Sequence, residues 1–225
     1  MKDLHDSGCI DVSETEDVVT PMNLGMIATY YQAEYTTLEM FASSVRPHLR
    51  IREALEVLCA ASEFERSMIC KLRRGESALI REQMKRIPMP VTSGYDTTTN
   101  TYDVHAKANV LMQTYLNQHH QDTSTASTVD RAKCLSVGVQ LCKALVDVAA
   151  QSNQQNNGVG SLTTTLVCCE LSQLLVQGML PNDSLLYQIP HFTTAIVEQC
   201  HQQTVTDDEG NTSPVDSVLD ILDME

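Results

Sequence analysis

TASTVDRAKCLSVGVQLCKALVDVAAQ, residues 125–151, decides the fold. Read as a helix, it runs about seven turns without a proline, against the three turns usual in a globular domain. Its apolar residues nearly encircle it: Val129, Cys134, Leu135, Val137, Val139, Leu141, Cys142, Leu145, Val146 and Val148. The polar residues Lys133, Ser136, Gln140, Lys143, Asp147 and Gln151 recur at steps of three and four, on a single stripe. A helix apolar on almost every side belongs inside a bundle. Its one polar seam must face water, a channel or a partner. The spacing predicts an all-α fold, a multi-helix bundle around one long central helix.

The totals agree. At 225 residues the chain is one large domain or two small ones, long enough to bury a sizeable core. Its apolar content comes from Leu, Val, Met, Ala and Cys, with no Trp and three Phe, a mix that favours helices packed on helices. The formal charge of −14 gathers at the ends: residues 1–17 carry −5, residues 207–225 carry −7, and the long middle only −2. Bulk charge therefore does not indicate a strong backbone-binding nucleic-acid surface, although a modest local patch remains open. Cys59, Cys70, Cys134, Cys142, Cys168, Cys169 and Cys200 stand in helix-like apolar context, where Cys packs as a small hydrophobe. No CxxC or Cys/His spacing points to zinc, and reduced thiols in a cytosolic or nuclear compartment are expected. The N-terminal MKDLHDSGCIDVSETED is acidic and lacks the apolar core of a signal peptide. No apolar run approaches the ~20 residues of a membrane span.

Along the chain, residues 8–20 (GCIDVSETEDVVT) read as a short extended pair, with Ile10 and Val12 alternating with polar residues. Helices follow in series. Residues 22–33 place Leu24, Ile27, Ala28 and Tyr31 on one face. Residues 36–45 open on Thr36 as N-cap with Glu39 three positions on, a capping box. Residues 51–64 carry Ile51, Leu55, Leu58 and Cys59 in one register. Residues 76–86 end in Arg81, Lys85 and Arg86, which complement the helix dipole. A Thr-rich loop, 89–103, leads to a helix at 105–118 with Ala108, Leu111, Met112 and Tyr115 at helical spacing. After the long helix comes a polar loop at 151–160. A second apolar helix, 161–178, is expected to place Leu162, Leu166, Cys169, Leu174 and Val176 inside, with Glu170, Gln173 and Gln177 on a second polar seam. A turn at 184–192, a small helix at 193–202 and an acidic turn at 204–213 follow. Residues 215–225 begin a final helix whose apolar pattern still runs at Leu222, as in a fragment or a chain completed by a partner.

Catalytic motifs are missing: there is no Walker A loop, GxGxxG, HExxH or GxSxG. His119 and His120 are adjacent, point apart on a helix and read as a solvated cap rather than a metal clamp. Glu63 and Glu65 beside Arg66 read as a solvated helix end rather than an acid/base pair. Cys168 and Cys169 read as packing rather than redox chemistry. No catalytic residue, metal or cofactor is expected.

Taken in order, these elements resemble a known module. TPMNLGMIATYYQAEYTTLEMF (20–41) is similar to the opening of the helical Sec sixty-three (brl) module, where Leu-Gly and paired tyrosines lead into a Thr-Thr helix. VLCAASEFE (57–65) resembles its Ala-Ser-Glu-Phe-Glu signature, and HAKANVLMQTYL (105–116) its Lys-x-Asn run. ALVDVAA (144–150) matches the end of its long helix, and SLLYQIPHFT (184–193) its Pro-His-Phe turn. The closest resemblance is to the module as it occurs in the C-terminal cassette of two-cassette spliceosomal RNA helicases. PVDSVLDILDME (214–225) resembles the helix-loop-helix that follows there.

The resemblance implies three parts: an extended connector from a winged helix (1–20), the bundle (21–203), and an acidic turn with the first helix of a truncated helix-loop-helix (204–225). It implies a nuclear, non-catalytic module whose partners are the motor domains and winged helix of a parent chain, splicing proteins and single-stranded RNA, with no membrane. In related helicases the long helix acts as a ratchet on the departing strand, using a basic residue and, seven positions on, a stacking aromatic. Those positions fall on Lys133 and Gln140, with Lys143 on the same seam. Gln140 offers no stacking face, which turns the expectation toward phosphate contact or protein docking. A merely solvated or internally bonded seam is the plainer alternative. Two other functions stay open: a protein-translocation component of the endoplasmic reticulum sharing the module, and a free-standing acidic adaptor for a basic partner.

Overall fold

The computed structural model describes residues 1–13, 18–66, 70–96, 101–120, 128–151, 161–206 and 212–222. Among them the long central helix, α8 (Thr128–Ala150), is embedded as the all-α reading requires. Cys134, Leu141, Cys142, Ala144, Leu145, Val148 and Ala149 are all buried. Around α8 pack α2 (Asn23–Tyr31), α3 (Tyr35–Ser44), α4 (Ile51–Cys59), α7 (Val104–Leu116) and α9 (Leu162–Gln177). The glycine inside α8 sets one of these distances: a Cβ on Gly138 would collide with the Met112 side chain of α7. Residues 125–127, expected at the start of α8, lie outside the described residues.

The N-terminal segment differs from a purely extended connector. It opens on a short helix, α1 (Lys2–Asp6), before the antiparallel pair β1 (Ile10–Val12) and β2 (Val19–Pro21), with Ile10 opposite Pro21. This hairpin is fastened to α2. The Met22 N–H donates to the Cys9 carbonyl at 2.9 Å, and a Cβ on Gly25 would run into that same carbonyl. The Leu-Gly pair of the signature is thus where two backbones touch. α2 buries Ile27 and turns Leu24, Ala28 and Tyr31 toward the core, as its periodicity predicts.

The second and third signatures meet each other. α3 begins at Tyr35, so Thr36 is not its N-cap and the expected box with Glu39 does not form. The cap comes from a distant segment instead. Glu63 Oε1 accepts the Glu34 N–H at 2.8 Å, and its other oxygen accepts from the Thr37 hydroxyl at 2.5 Å. Ser62 Oγ lies 3.1 Å from Thr36 Oγ1 and 2.9 Å from Thr37 Oγ1. To deliver these groups the predicted helix 51–64 must break, so α4 ends at Cys59 and a separate turn, α5 (Glu63–Arg66), follows. The break also sends Phe64 into the core, where it is fully buried. Glu63 is therefore a structural clasp rather than part of a solvated end. The reach-back glutamate expected at α3 occurs at α4, where Glu53 accepts the Arg50 N–H at 3.0 Å.

A second polar knot joins α7 to α8 and to α6 (Glu76–Met84). Lys107 is only 2% exposed. Its Nζ lies 2.8 Å from Glu76 Oε1 and 3.0 Å from Asp130 Oδ2, and it donates to the Lys71 carbonyl at 3.2 Å. All three ammonium protons have acceptors. Asp130 also holds Arg73 at 3.1 Å. Further along α7, Gln113 donates to the Met89 carbonyl and accepts the Met89 N–H, both at 2.9 Å, pinning the loop after α6. That loop contains a minimal pair, β3 (Tyr95–Asp96) with β4 (Thr101–Tyr102).

α9 rotates against expectation. Thr164, Cys168, Leu171, Leu174 and Leu175 face inward, whereas Leu162, Leu166 and Val176 are 74%, 58% and 61% exposed. With apolar residues on every side, periodicity could not choose the face. The Thr164 hydroxyl, bonded to the Arg46 carbonyl at 2.8 Å, helps to choose it. Beyond α9, a 3-10 turn (Leu185–Gln188) buries Leu186, and the two histidines are not merely solvated. His119 stacks on Tyr187 with centroids 4.3 Å apart, and His120 lies 2.5 Å from Asp183. α10 (Thr194–His201), the hairpin β5 (Thr204–Thr206) with β6 (Thr212–Pro214), and α11 (Val218–Leu222) complete the described chain. All eight cysteines are free. Burial pushes the Cys59 thiol well up, Cys142 up to about 12 and Cys168 up to about 11, which suits packing rather than reactivity.

Two outcomes follow from this geometry. Lys107→Met removes the ammonium shared by the buried Asp130 and the half-buried Glu76, and urea unfolding should show a loss of about 3–5 kcal/mol; a loss under about 1 kcal/mol would mean that the knot is not held by Lys107. Gly25→Ala should lower amide-exchange protection of Met22 and the β1–β2 pair at least about tenfold, while protection in α8 stays unchanged; equal protection in both proteins would contradict the close approach.

Candidate nucleic-acid interface on the long helix

α8 crosses the molecule with one side uncovered. Lys133, Ser136, Gln140 and Lys143 are exposed, whereas Asp147 and Gln151 are half-buried. Positions 133, 136, 140 and 143 differ by three and four, so an α-helix carries them on one narrow arc. Packing of α7 and α9 on the opposite side forces that arc outward, because the apolar circumference has first claim on the core.

The seam is not uniform. Its middle and lower end are bonded to α2: Gln140 Nε2 donates to the Tyr31 carbonyl at 2.6 Å, and the Tyr31 hydroxyl donates to Asp147 Oδ2 at 2.8 Å. Desolvation, followed by the adjacent Asp147 carboxylate, pushes the Tyr31 phenol up to about 12, so it keeps the proton it donates. The last carbonyl of α2 and its aromatic side chain are therefore clamped across two turns of α8. Gln140 spends its amide on this internal bond.

Lys133 and Lys143 differ from Gln140. Both are exposed, and among the described residues neither forms a salt bridge. They lie ten residues apart, about 15 Å along the axis at 1.5 Å per residue. Two ammonium groups at that separation can meet a polyanion as point charges, without bidentate geometry and without reading sequence. The site residues inferred from the sequence thus separate into an exposed basic pair and a structural amide between them.

Periodicity did not bring out Tyr31 as a clamp, or Tyr30 beside it. Tyr30 is 79% exposed, and its ring stands edge-on to Tyr31 at 4.8 Å and 85°. The signal lay in the paired tyrosines at the end of α2, two large aromatics where the helix pattern buries only one. Among the described residues no group of three or more His, Cys, Asp or Glu could hold a metal ion, and no helix is long and apolar enough to cross a membrane.

Comparison with known proteins places this architecture. The Sec63 Brl domain model matches residues 21–210. The U5 small nuclear ribonucleoprotein 200 kDa helicases of Homo sapiens and Drosophila melanogaster are 33% and 32% identical to it over all 225 residues. The DExH-box ATP-dependent RNA helicase DExH12 of Arabidopsis thaliana is 32% identical over the same span. The chain covers 9% of the length of each of these relatives. With the family model matched over most of its length and α8 at the centre of its bundle, the chain belongs to the Sec63 Brl domain family.

Proposed function

We propose that this chain is the non-catalytic helical module of a spliceosomal RNA helicase, acting in the nucleus beside the motor domains and winged helix of its parent. In this reading residues 1–20 connect to the winged helix, 21–203 form the working bundle, and 204–225 begin a helix-loop-helix. The chain's part during small nuclear RNA unwinding is to guide the single strand that leaves the motor. Lys133 and Lys143 hold its phosphates loosely along α8. Identity over all 225 residues to proteins named as U5 small nuclear ribonucleoprotein helicases supports the splicing context and favours it over protein translocation or a free-standing adaptor.

The observation that carries the mechanism is the state of Gln140. Its amide is bonded to the Tyr31 carbonyl, and it presents no π face. A base stack worth roughly 1–3 kcal/mol is therefore missing at this position, leaving charge alone. Binding through charge alone is weak, non-specific and salt-sensitive, which suits a guide rather than a pawl. A second reading, docking of splicing proteins, is supported by the outward face of α9, where Leu162, Leu166 and Val176 are exposed.

Binding of labelled oligouridylate decides between them. Lys133→Glu with Lys143→Glu should weaken binding at low salt at least about fivefold, or 1 kcal/mol. The slope of log K against log salt should fall by roughly 0.7 for each phosphate that the variant no longer neutralises. Equal affinity and equal slope in wild type and variant would remove the guiding role and leave docking.

A further inference from the structure

Although the whole chain carries −14, residues 71–86 (KLRRGESALIREQMKR) hold six of its 15 Lys and Arg against two acids. This basic stretch comprises the loop before α6 and α6 itself, and it borders a groove of about 430 Å³ between α6 and α7. The floor is aliphatic: Ile80, Val110 and Leu111 are buried there, with Leu79 at the rim, 52% exposed. Arg73 and Arg74 stand at one end.

The charges at that end do not cancel. Beneath the groove, Lys107 faces two carboxylates, Glu76 and Asp130, a surplus of one negative charge that Arg73 offsets through Asp130. Arg73 keeps a side chain 69% exposed while one of its nitrogens holds Asp130 at 3.1 Å. Arg74 is exposed and forms no salt bridge among the described residues. The open surface is therefore an aliphatic slot with a guanidinium rim, on a molecule that is otherwise acidic or neutral.

We propose that the α6–α7 groove docks an acidic peptide segment of a partner protein, seating an aliphatic side chain against Leu79 over the nearly buried Ile80 and Leu111, and flanking carboxylates on Arg73 and Arg74. Guanidinium forks match carboxylates in bidentate geometry, and an aliphatic anchor is what such a floor desolvates best. Nucleic acid fits less well: no lining residue is aromatic, so an inserted base would find no stacking face. The field of Arg81 on α6 and Lys85 just beyond it would speed encounter with the acidic segment without touching it. This site is separate from the seam on α8 and stands whether or not Lys133 and Lys143 meet RNA.

The probe is a fluorescein-labelled acidic hexapeptide with one central leucine among aspartates and glutamates, titrated with the full chain and read by anisotropy. A control peptide carries serine in place of that leucine. Arg74→Glu and, separately, Leu79→Asp should each weaken leucine-peptide binding at least about fivefold, the former less so as salt rises. The serine control should bind at least about fivefold more weakly than the leucine peptide. Both substitutions sit on exposed side chains outside the Lys107 knot, so unchanged thermal melts should accompany the weaker binding. Absence of peptide binding, equal binding of the serine control, or wild-type affinity in both variants would overturn the proposal. So would oligouridylate that displaces the peptide and is weakened to the same degree by Arg74→Glu.

Discussion

Covering the apolar circumference of α8 is the condition that the other helices satisfy. Seven of its apolar residues are buried and four more pack partly against the core. Each buried Leu or Val removes side-chain surface worth about 1.5–3 kcal/mol from water. No single neighbour can cover a full circumference, so α2, α3, α4, α7 and α9 must all be brought in. Only one arc is left over, and the functional reading rests on it.

Apolar covering is non-directional, so something else must set which helix lies where and at what register. Polar contacts between distant segments do this. Ser62 and Glu63 clasp the start of α3, Lys107 gathers Glu76 and Asp130, Gln113 grips Met89, and Gln140 with Asp147 clamps Tyr31. Several of these residues stand within the family's recognisable phrases, Thr-Thr, Ala-Ser-Glu-Phe-Glu and Lys-x-Asn. A motif that looks catalytic by composition, with paired carboxylates beside a basic residue, is here a set of splices between helices. Buried polar groups can be this demanding because each one left unpaired costs about 1–3 kcal/mol.

What is left to face outward is correspondingly specific. On one side α8 offers two lysines with an occupied amide between them. Elsewhere α6 and α7 leave an aliphatic slot beneath two arginines, and α9 shows Leu162, Leu166 and Val176. These surfaces differ in chemistry: point charge, charge with an apolar floor, and plain apolar area. A module can distinguish partners by presenting such different faces.

Much of the architecture was legible in the residues themselves. Helix periodicity is a local property, so the long helix, its seam and the inward face of α2 could be read from spacing alone. Element ends were less legible: the break after Cys59 exists because Ser62 and Glu63 are needed 25 to 29 residues away, at α3. The orientation of α9 was not legible at all. Its Leu, Val, Cys and Thr residues are apolar enough on every side that only its neighbours could select the buried face. Gln140 shows the same division. Spacing located it on the wet edge of α8 and its residue type already ruled out a stacking ring, but only the arrival of Tyr31, 109 residues earlier in the chain, tied its amide to α2 and left Lys133 and Lys143 as the exposed charges of the seam.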